Sequence, residues 1–355
     1  MIKHELLVPA GDMECLKQAI ANGADAVYLG LNNFSARKFA KNFTNEEMQS
    51  AVRLAHLYGV KLYCTMNTVV KNKEVSAFLG EVEFLHRIGI DAIIMQDFGM
   101  ICLCREMFPN LEIHASTQAN TSCKETAQMY YDLGVKRVVF SRELSLEEIE
   151  KIDVPIEKEV FIHGAMCTCY SGRCALSNYI TNRDANRGGC AQICRFTFET
   201  DEEKSFTFAS RDLNMANHIK DLIEINVASL KVEGRMRSIY YLATVIGTYR
   251  EIIDRIYDNT LDDATMKVLE KRLDRVANRV TSTHFFNHYA DETDQYYTGR
   301  KEISNQDYLG VITGYDDENK SIILIERNYF KKGDIVEIFT PDNKIYNYEI
   351  DKIYD

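Results

Sequence analysis

Five of the chain's ten cysteines lie in the 33 residues from His163 to Arg195: Cys167, Cys169, Cys174, Cys190 and Cys194. Their spacing is Cys167-x6-Cys174-x15-Cys190-x3-Cys194, with Cys169 to spare. A zinc ribbon would show two C-x2-C pairs, and a thioredoxin-like site one C-x-x-C; neither is present. Iron–sulfur clusters draw thiolates from loops of more variable spacing. Gly164, Gly172, Gly188 and Gly189 would let the backbone turn and come close to sulfide. Spacing alone points to a metal or cluster site, zinc included. A chance collection of thiols and a catalytic thiol are the competing readings, the latter with Cys167 as nucleophile and His163 as base.

A second set of polar residues stands where apolar runs end: His114, Ser116, Gln118, Arg142, Glu143, His163, Lys231, Glu233 and Arg235. Arg142, Lys231 and Arg235 could hold a small dianion or a phosphate, because guanidinium groups bind oxyanions with two parallel hydrogen bonds. The competing reading is a charge network with Glu143 and Glu233. His163, Glu233 and His114 are the candidate catalytic groups. His284 and His288 are four apart, but their surroundings read as loop and no further ligand is near in sequence.

The elements that must position these residues follow from the apolar pattern. Short apolar runs at 6–11, 26–31, 60–67, 91–97, 111–116, 136–141, 159–164 and 228–234 read as buried strands. Helical patterns separate them, one starting with Asn45 as its expected cap, another over 73–87 and a last over 238–257. Eight strands with intervening helices over about 255 residues match a (β/α)8 barrel; a doubly wound open sheet is the alternative. In a barrel the loops that follow the strands share one face and carry the chemistry. The cysteines then occupy a long insertion, 164–227, after strand seven, far above ordinary loop length. The expected domains are a barrel over 1–258, a helical and irregular linker over 259–304, and a small all-β, barrel-like module over 305–355.

Composition sets outer limits. The chain has 355 residues, 46% hydrophobic, with net charge −11. No apolar run approaches the ~20 residues that span a bilayer, and the MIKHELLVPAGD start shows no signal run, so a cytoplasmic protein is expected. Ten cysteines in a reducing compartment are not a disulfide framework; Cys15, Cys64, Cys102, Cys104 and Cys123 read as small buried hydrophobes. The acidic balance argues against a broad nucleic-acid interface. Arg173, Arg183, Arg187 and Arg195, set against Asp184 alone, still form a local basic patch able to grip a few phosphates.

Several stretches carry a resemblance: EVFIHGAMC (159–167), LLVPAGDMECLKQAIANGADAVYLGL (6–31), YSGRCALSNYITNRDANRGGCAQICR (170–195) and SLKVEGRMRSIYY (229–241). Together they resemble the collagenase-like peptidase family, peptidase U-family 32, over essentially the whole chain. Within it the chain is most similar to the branch containing the tRNA wobble-uridine hydroxylation protein. The resemblance implies a cluster-dependent hydroxylation, a 4Fe-4S cluster on four cysteines, and prephenate as hydroxyl source. Cys167, Cys174 and Cys190 fall on three family ligand positions. The fourth usually lies in a Ser-Lys-Asp-Leu-Cys type stretch; this chain reads SRDLNMA, with Asn214 where the thiolate would stand. Cys194 is the expected replacement, an open or oxygen-ligated iron the other outcome, and absence of a cluster the third.

The expected function is therefore iron–sulfur-dependent RNA modification. The alternatives are a collagenase-like peptidase, although neither H-E-x-x-H nor G-x-S-x-G occurs, and a non-catalytic metal- or RNA-binding subunit. The expected partners are tRNA and a second copy or a family relative, with no membrane. Arg183 and Arg187 are the leading phosphate contacts, with Arg327, Lys331 and Lys332 of the β-module as a second patch.

Overall fold

A computed structural model describes residues 4–38, 41–202, 204–277, 279–296, 308–340 and 344–354. Its first part alternates strand and helix: β1 (Glu5–Pro9), α1 (Met13–Ala21), β2 (Ala26–Leu29), α2 (Asn45–Leu57), β3 (Lys61–Met66), α3 (Val75–Arg87), β4 (Ala92–Met95), α4 (Phe98–Met107), β5 (Ile113–Ala115), α5 (Lys124–Asp132), β6 (Arg137–Val139), α6 (Leu146–Lys151) and β7 (Glu157–Ala165). The cysteine segment follows, with α7 (Leu176–Thr181), a hairpin of β8 (Phe198–Glu199) and β9 (Ser205–Phe206), β10 (Asp212–Asn214) and α8 (Ile219–Glu224). Then come β11 (Ser229–Val232), α9 (Ile239–Tyr257), α10 (Asp263–Asp274) and β12 (Thr281–Ser282).

Strands β1 to β7 pair in parallel in chain order, and β11 pairs in parallel with both β7 and β1, which closes an eight-stranded barrel. The eight strands are the eight apolar runs of the sequence. Alternation along each strand divides the barrel into two cores. Leu6, Val27, Leu62, Ile93, Ile113 and Val138 face the helices and are fully buried, each contributing about 1.5–3 kcal/mol. Leu7, Ala26, Tyr28, Tyr63, Ala92 and Ile94 face inward and pack on one another. Helix α2 starts one residue earlier than expected from an Asn45 cap. Thr44 is the cap: its Oγ1 accepts from Glu47 N at 3.2 Å while Thr44 N donates to Glu47 Oε2 at 2.9 Å. This reciprocal pair satisfies two end donors at once.

The strand-start end of the interior is closed by charge. Arg137 pairs with Glu157 at 2.7 Å and Glu159 at 3.1 Å and also binds Glu5. Tyr63 and Ser229 donate to Glu5 at 2.7 and 3.0 Å.

Beyond the barrel, β10 runs antiparallel to the end of β7 and carries β12 on its far side. These two- and three-residue strands lengthen the sheet at the mouth. The last residues form antiparallel hairpins, β13 (Gly310–Asp316) with β14 (Ser321–Glu326) and β15 (Ile335–Phe339) with β16 (Ile345–Glu349). Among the described residues these are separate two-stranded sheets rather than a joined barrel. Tyr308 stacks on Tyr240 in the first turn of α9, centroids 5.2 Å apart and planes 4° from parallel. Because α9 starts where β11 ends, the hairpins flank the mouth end of the barrel. No helix among the described residues is long and apolar enough to cross a membrane.

Candidate active site

The cysteine segment is a cap laid across the ends of the barrel strands. Four loops hold it. Arg187 reaches the loop after β3, bonding Glu74 at 2.6 and 2.9 Å and Val69 O at 2.9 Å. Ser171 donates to Glu143, after β6, from its N at 2.9 Å and its Oγ at 3.1 Å. Gly172 and Gly188, at φ +69° and +83°, press onto the loops after β5 and β2: an added Cβ would stand 1.9 Å from Gln118 O and 2.5 Å from Ser35 O. Only glycine meets both demands, positive φ and backbone contact.

Docking gathers the five thiols. Cys194 is pushed up to about 11 by burial and by the charges of Cys167, Cys190 and Cys174, with Arg195 opposing. Cys169 is pushed up to about 12 by burial, then by Cys174, Cys167 and Cys194. Sulfurs that disfavour one another's ionisation form a donor set that a soft polyvalent metal group would relieve. Among the described residues, no three of these sulfurs lie within 4.8 Å of one another. Cys194 senses the same three cysteines that the sequence marks as ligands. Asn214 does not compete with it: Asn214 Oδ1 accepts from Tyr249 Oη at 3.2 Å and from Ala216 N at 3.1 Å.

Beneath the cap lies a cationic mouth. Lys231 pairs with the buried Glu159 at 2.7 Å and sits 4.5 Å from the Tyr28 ring centroid. Burial works against the Glu159 charge, but Lys231 and Arg137 outweigh it and hold the carboxyl down to about 2. Glu233 pairs with Arg37 at 3.1 Å. Burial would raise its pKa, yet Arg37 and Arg142 keep it below the usual range. Arg142 lies 3.8 Å from the Phe161 ring centroid and donates to Ala165 O at 2.6 Å. Arg235 is buried, and among the described residues its bonds go to neutral groups: Ser35 Oγ at 2.7 Å, Thr65 Oγ1 at 3.2 Å and Asn42 Oδ1. Its Nε has no partner, and desolvation lowers its pKa to about 10. Among the described residues, Arg142 and Arg235 have no carboxylate partner, and Arg37 shares Glu233; guanidinium groups in this state are the type that binds oxyanions.

The histidines go elsewhere. His163 turns outward under α9, with Nδ1 3.1 Å from Tyr249 Oη, and burial lowers its pKa to about 3. His114 is fully buried, 2.8 Å from Glu112 and edge-on to Tyr63, toward the strand-start end. Neither is brought to the thiols. His284 bonds Arg211 O at 3.0 Å and His288 bonds Asp294 at 2.9 Å, so the pair diverges. Asp291 and Asp294 cluster with His288, but both carboxylates already cap the turn at Glu292–Asp294. Arg183 braces the cap through Gly189 O at 3.1 Å. Lys331 and Lys332 are exposed in the turn between the hairpins, and Arg327 lies by Tyr308. Sequence reasoning missed Arg37, Ser35, Thr65 and Glu159. Only Glu159 carried a signal, a carboxylate inside an apolar run.

Comparison with known proteins agrees with this architecture. Residues 11–296 match the model of peptidase family U32, and 304–355 that of the peptidase family U32 C-terminal domain. The tRNA hydroxylation protein P1 of Bacillus subtilis (strain 168) is 39% identical, over 99% of this chain and 87% of its own length. The 23S rRNA 5-hydroxycytidine C2501 synthase of Escherichia coli (strain K12) is 36% identical over 73% of this chain and 40% of its own. A collagenase of Porphyromonas gingivalis (strain ATCC BAA-308 / W83) is 32% identical over 78% of this chain and 71% of its own.

Proposed function

The chain belongs to peptidase family U32, and from that membership we propose that it is an RNA-modifying enzyme that hydroxylates a pyrimidine, the wobble uridine of tRNA. Two relatives named for RNA hydroxylation support this, one matched over 99% of the chain. The observation that carries the reading is the cap: a thiol-rich segment clamped over a cationic barrel mouth. We assign Cys167, Cys174, Cys190 and Cys194 as holders of a 4Fe-4S cluster, with Cys194 in the place that Asn214 leaves open. Such a cluster would supply one-electron redox chemistry.

The protein's own residues bind, orient and exclude water. Arg142 and Arg235 bind the carboxylates of prephenate, the proposed hydroxyl source, and Arg37 lends its free edge. Glu233 is ionised at neutral pH and sets the direction of Arg37; it is the candidate proton acceptor at the mouth. Lys231 is neutralised by Glu159 and shapes the floor with Tyr28. The cap keeps bulk water from the mouth. His163 and His114, buried and with lowered pKa, stay neutral and fix strands β7 and β5.

A peptidase built on Cys167 and His163 has less support, since His163 Nδ1 is engaged by Tyr249 under α9. Anaerobic purification separates the readings. The hydroxylase reading expects a brown protein with iron and sulfide that Cys174→Ser loses. A colourless, iron-free protein that cleaves gelatin would reverse it.

A further inference from the structure

The inner side of the cap is accounted for by its docking; its outer side is not. Tyr170 is 66% exposed and Tyr179 88% exposed, and Ile180 beside it is 51% exposed. Tyr179 projects from α7, a six-residue helix. Tyr170 closes a turn in which Arg173 N donates to Tyr170 O at 3.0 Å. Arg173 is exposed, and no ion pair reaches it among the described residues. Residues 163–195 hold four arginines and one acidic residue, Asp184; Arg187 is paired with Glu74 of the barrel, so the segment keeps a formal 4 − 1 − 1 = +2 in a chain of −11. Asp184 caps the turn Ala185–Arg187, its Oδ1 accepting from Asn186 N at 3.0 Å.

We propose that the outer face of the cap, Tyr170 and Tyr179 with Arg173 beside them, is a stacking platform for the unpaired bases that flank the modified nucleotide in RNA. The inference rests on the RNA reading above and adds the surface that would hold the substrate. Exposed rings interleaved with cations suit single-stranded RNA, whose bases offer open π-faces and whose phosphates need few partners. The rings sit on the segment that carries the thiols, so a loop stacked there has its neighbouring base beside them. The adjoining β8–β9 hairpin carries Glu199, Asp201 and Glu202 against Lys204, which pairs with Glu202 at 2.7 Å. Those charges repel phosphate and confine the strand to the Tyr170–Tyr179 side.

The test is fluorescence anisotropy with a labelled RNA stem–loop bearing an unpaired uridine-rich loop, and with a duplex of equal length, across a salt series. Tyr179→Leu and Tyr170→Leu are each expected to weaken stem–loop binding by about 5- to 150-fold, the range for loss of one base–aromatic stack. The slope of log K against log salt stays unchanged, because no phosphate contact is lost. Tyr179→Phe is expected to bind within about 2-fold of the parent, since stacking needs the ring and not the hydroxyl. Iron content and melting temperature stay at parental values in all three. If the leucine variants bind as the parent does, the platform falls and the RNA reading stands. If they instead change the oligomeric state by light scattering at unchanged RNA affinity, the face is a protein interface and the platform falls. If the parent binds neither RNA, the RNA reading falls and takes the platform with it.

Discussion

Gly172→Ala isolates the docking of the cap. At φ +69° an alanine pays about 1–2 kcal/mol for left-handed backbone. Its Cβ would also stand 1.9 Å from Gln118 O, and atoms there are backbone on both sides. Reaching even 3.0 Å requires 3.0 − 1.9 = 1.1 Å of separation between cap and barrel. That opens the adjacent bonds from Ser171 to Glu143, now 2.9 and 3.1 Å, each worth about 1.5–3 kcal/mol to a charged acceptor. The two bonds alone make a docking loss of about 3–6 kcal/mol, a factor of 10² or more in the opening equilibrium. Gly59→Ala is the control: φ is +70° but nothing lies within 4 Å of its Cβ, so it carries the dihedral cost alone. The assay is the rate of thiol modification by a disulfide reagent in metal-free protein, with melting temperature in parallel. Gly172→Ala is expected to speed modification of Cys169 and Cys194 about 100-fold while the barrel melts within a few degrees of the parent. Gly59→Ala leaves the thiol rate unchanged. Parental thiol rates in Gly172→Ala would refute the docking argument.

Three further outcomes follow from the buried charges. Prephenate at saturation is expected to raise the melting temperature of the parent by a few degrees through binding linkage, and Arg235→Met to abolish that rise; an undiminished rise would place the anion elsewhere. His163 has its pKa lowered from 6.5 to about 3 in the fold, so the unfolded chain binds the extra proton first. Its contribution is whole above pH 6.5 and is lost as pH falls toward 3; His163→Gln is expected to flatten the urea-measured stability curve across that window, and an unchanged slope would contradict the burial. Glu159→Gln leaves Lys231 buried without its carboxylate and is expected to cost about 3–5 kcal/mol in urea unfolding, whereas a loss below about 1 kcal/mol would mean the pair does not hold the barrel.

The barrel was legible because its strands are local: runs such as AVYL at 26–29 and AIIM at 92–95 announce themselves by apolar type and flanking turns. The cysteines were legible by density. What sequence hid was contact between distant loops. Arg187 looked like a phosphate ligand, and nothing near it signals Glu74, 113 residues away. Arg37 sits in a polar loop with no periodicity and meets Glu233 only through closure of the barrel. Asn214 could be flagged as a departure, but its hold on Tyr249 depends on α9 crossing behind β7. Strands β8, β9, β10 and β12 are two or three residues long, too short for alternation to register.

The most direct test of RNA hydroxylation is mass spectrometry of nucleosides from tRNA of a strain lacking this gene and any redundant one. Hydroxyuridine-type modification at the wobble position is expected to vanish, to return with the parental gene, and to stay absent with Cys174→Ser. Modification that persists in the deletion, or returns in full with the Cys174→Ser chain, would contradict the thiol-capped barrel as the enzyme that makes it.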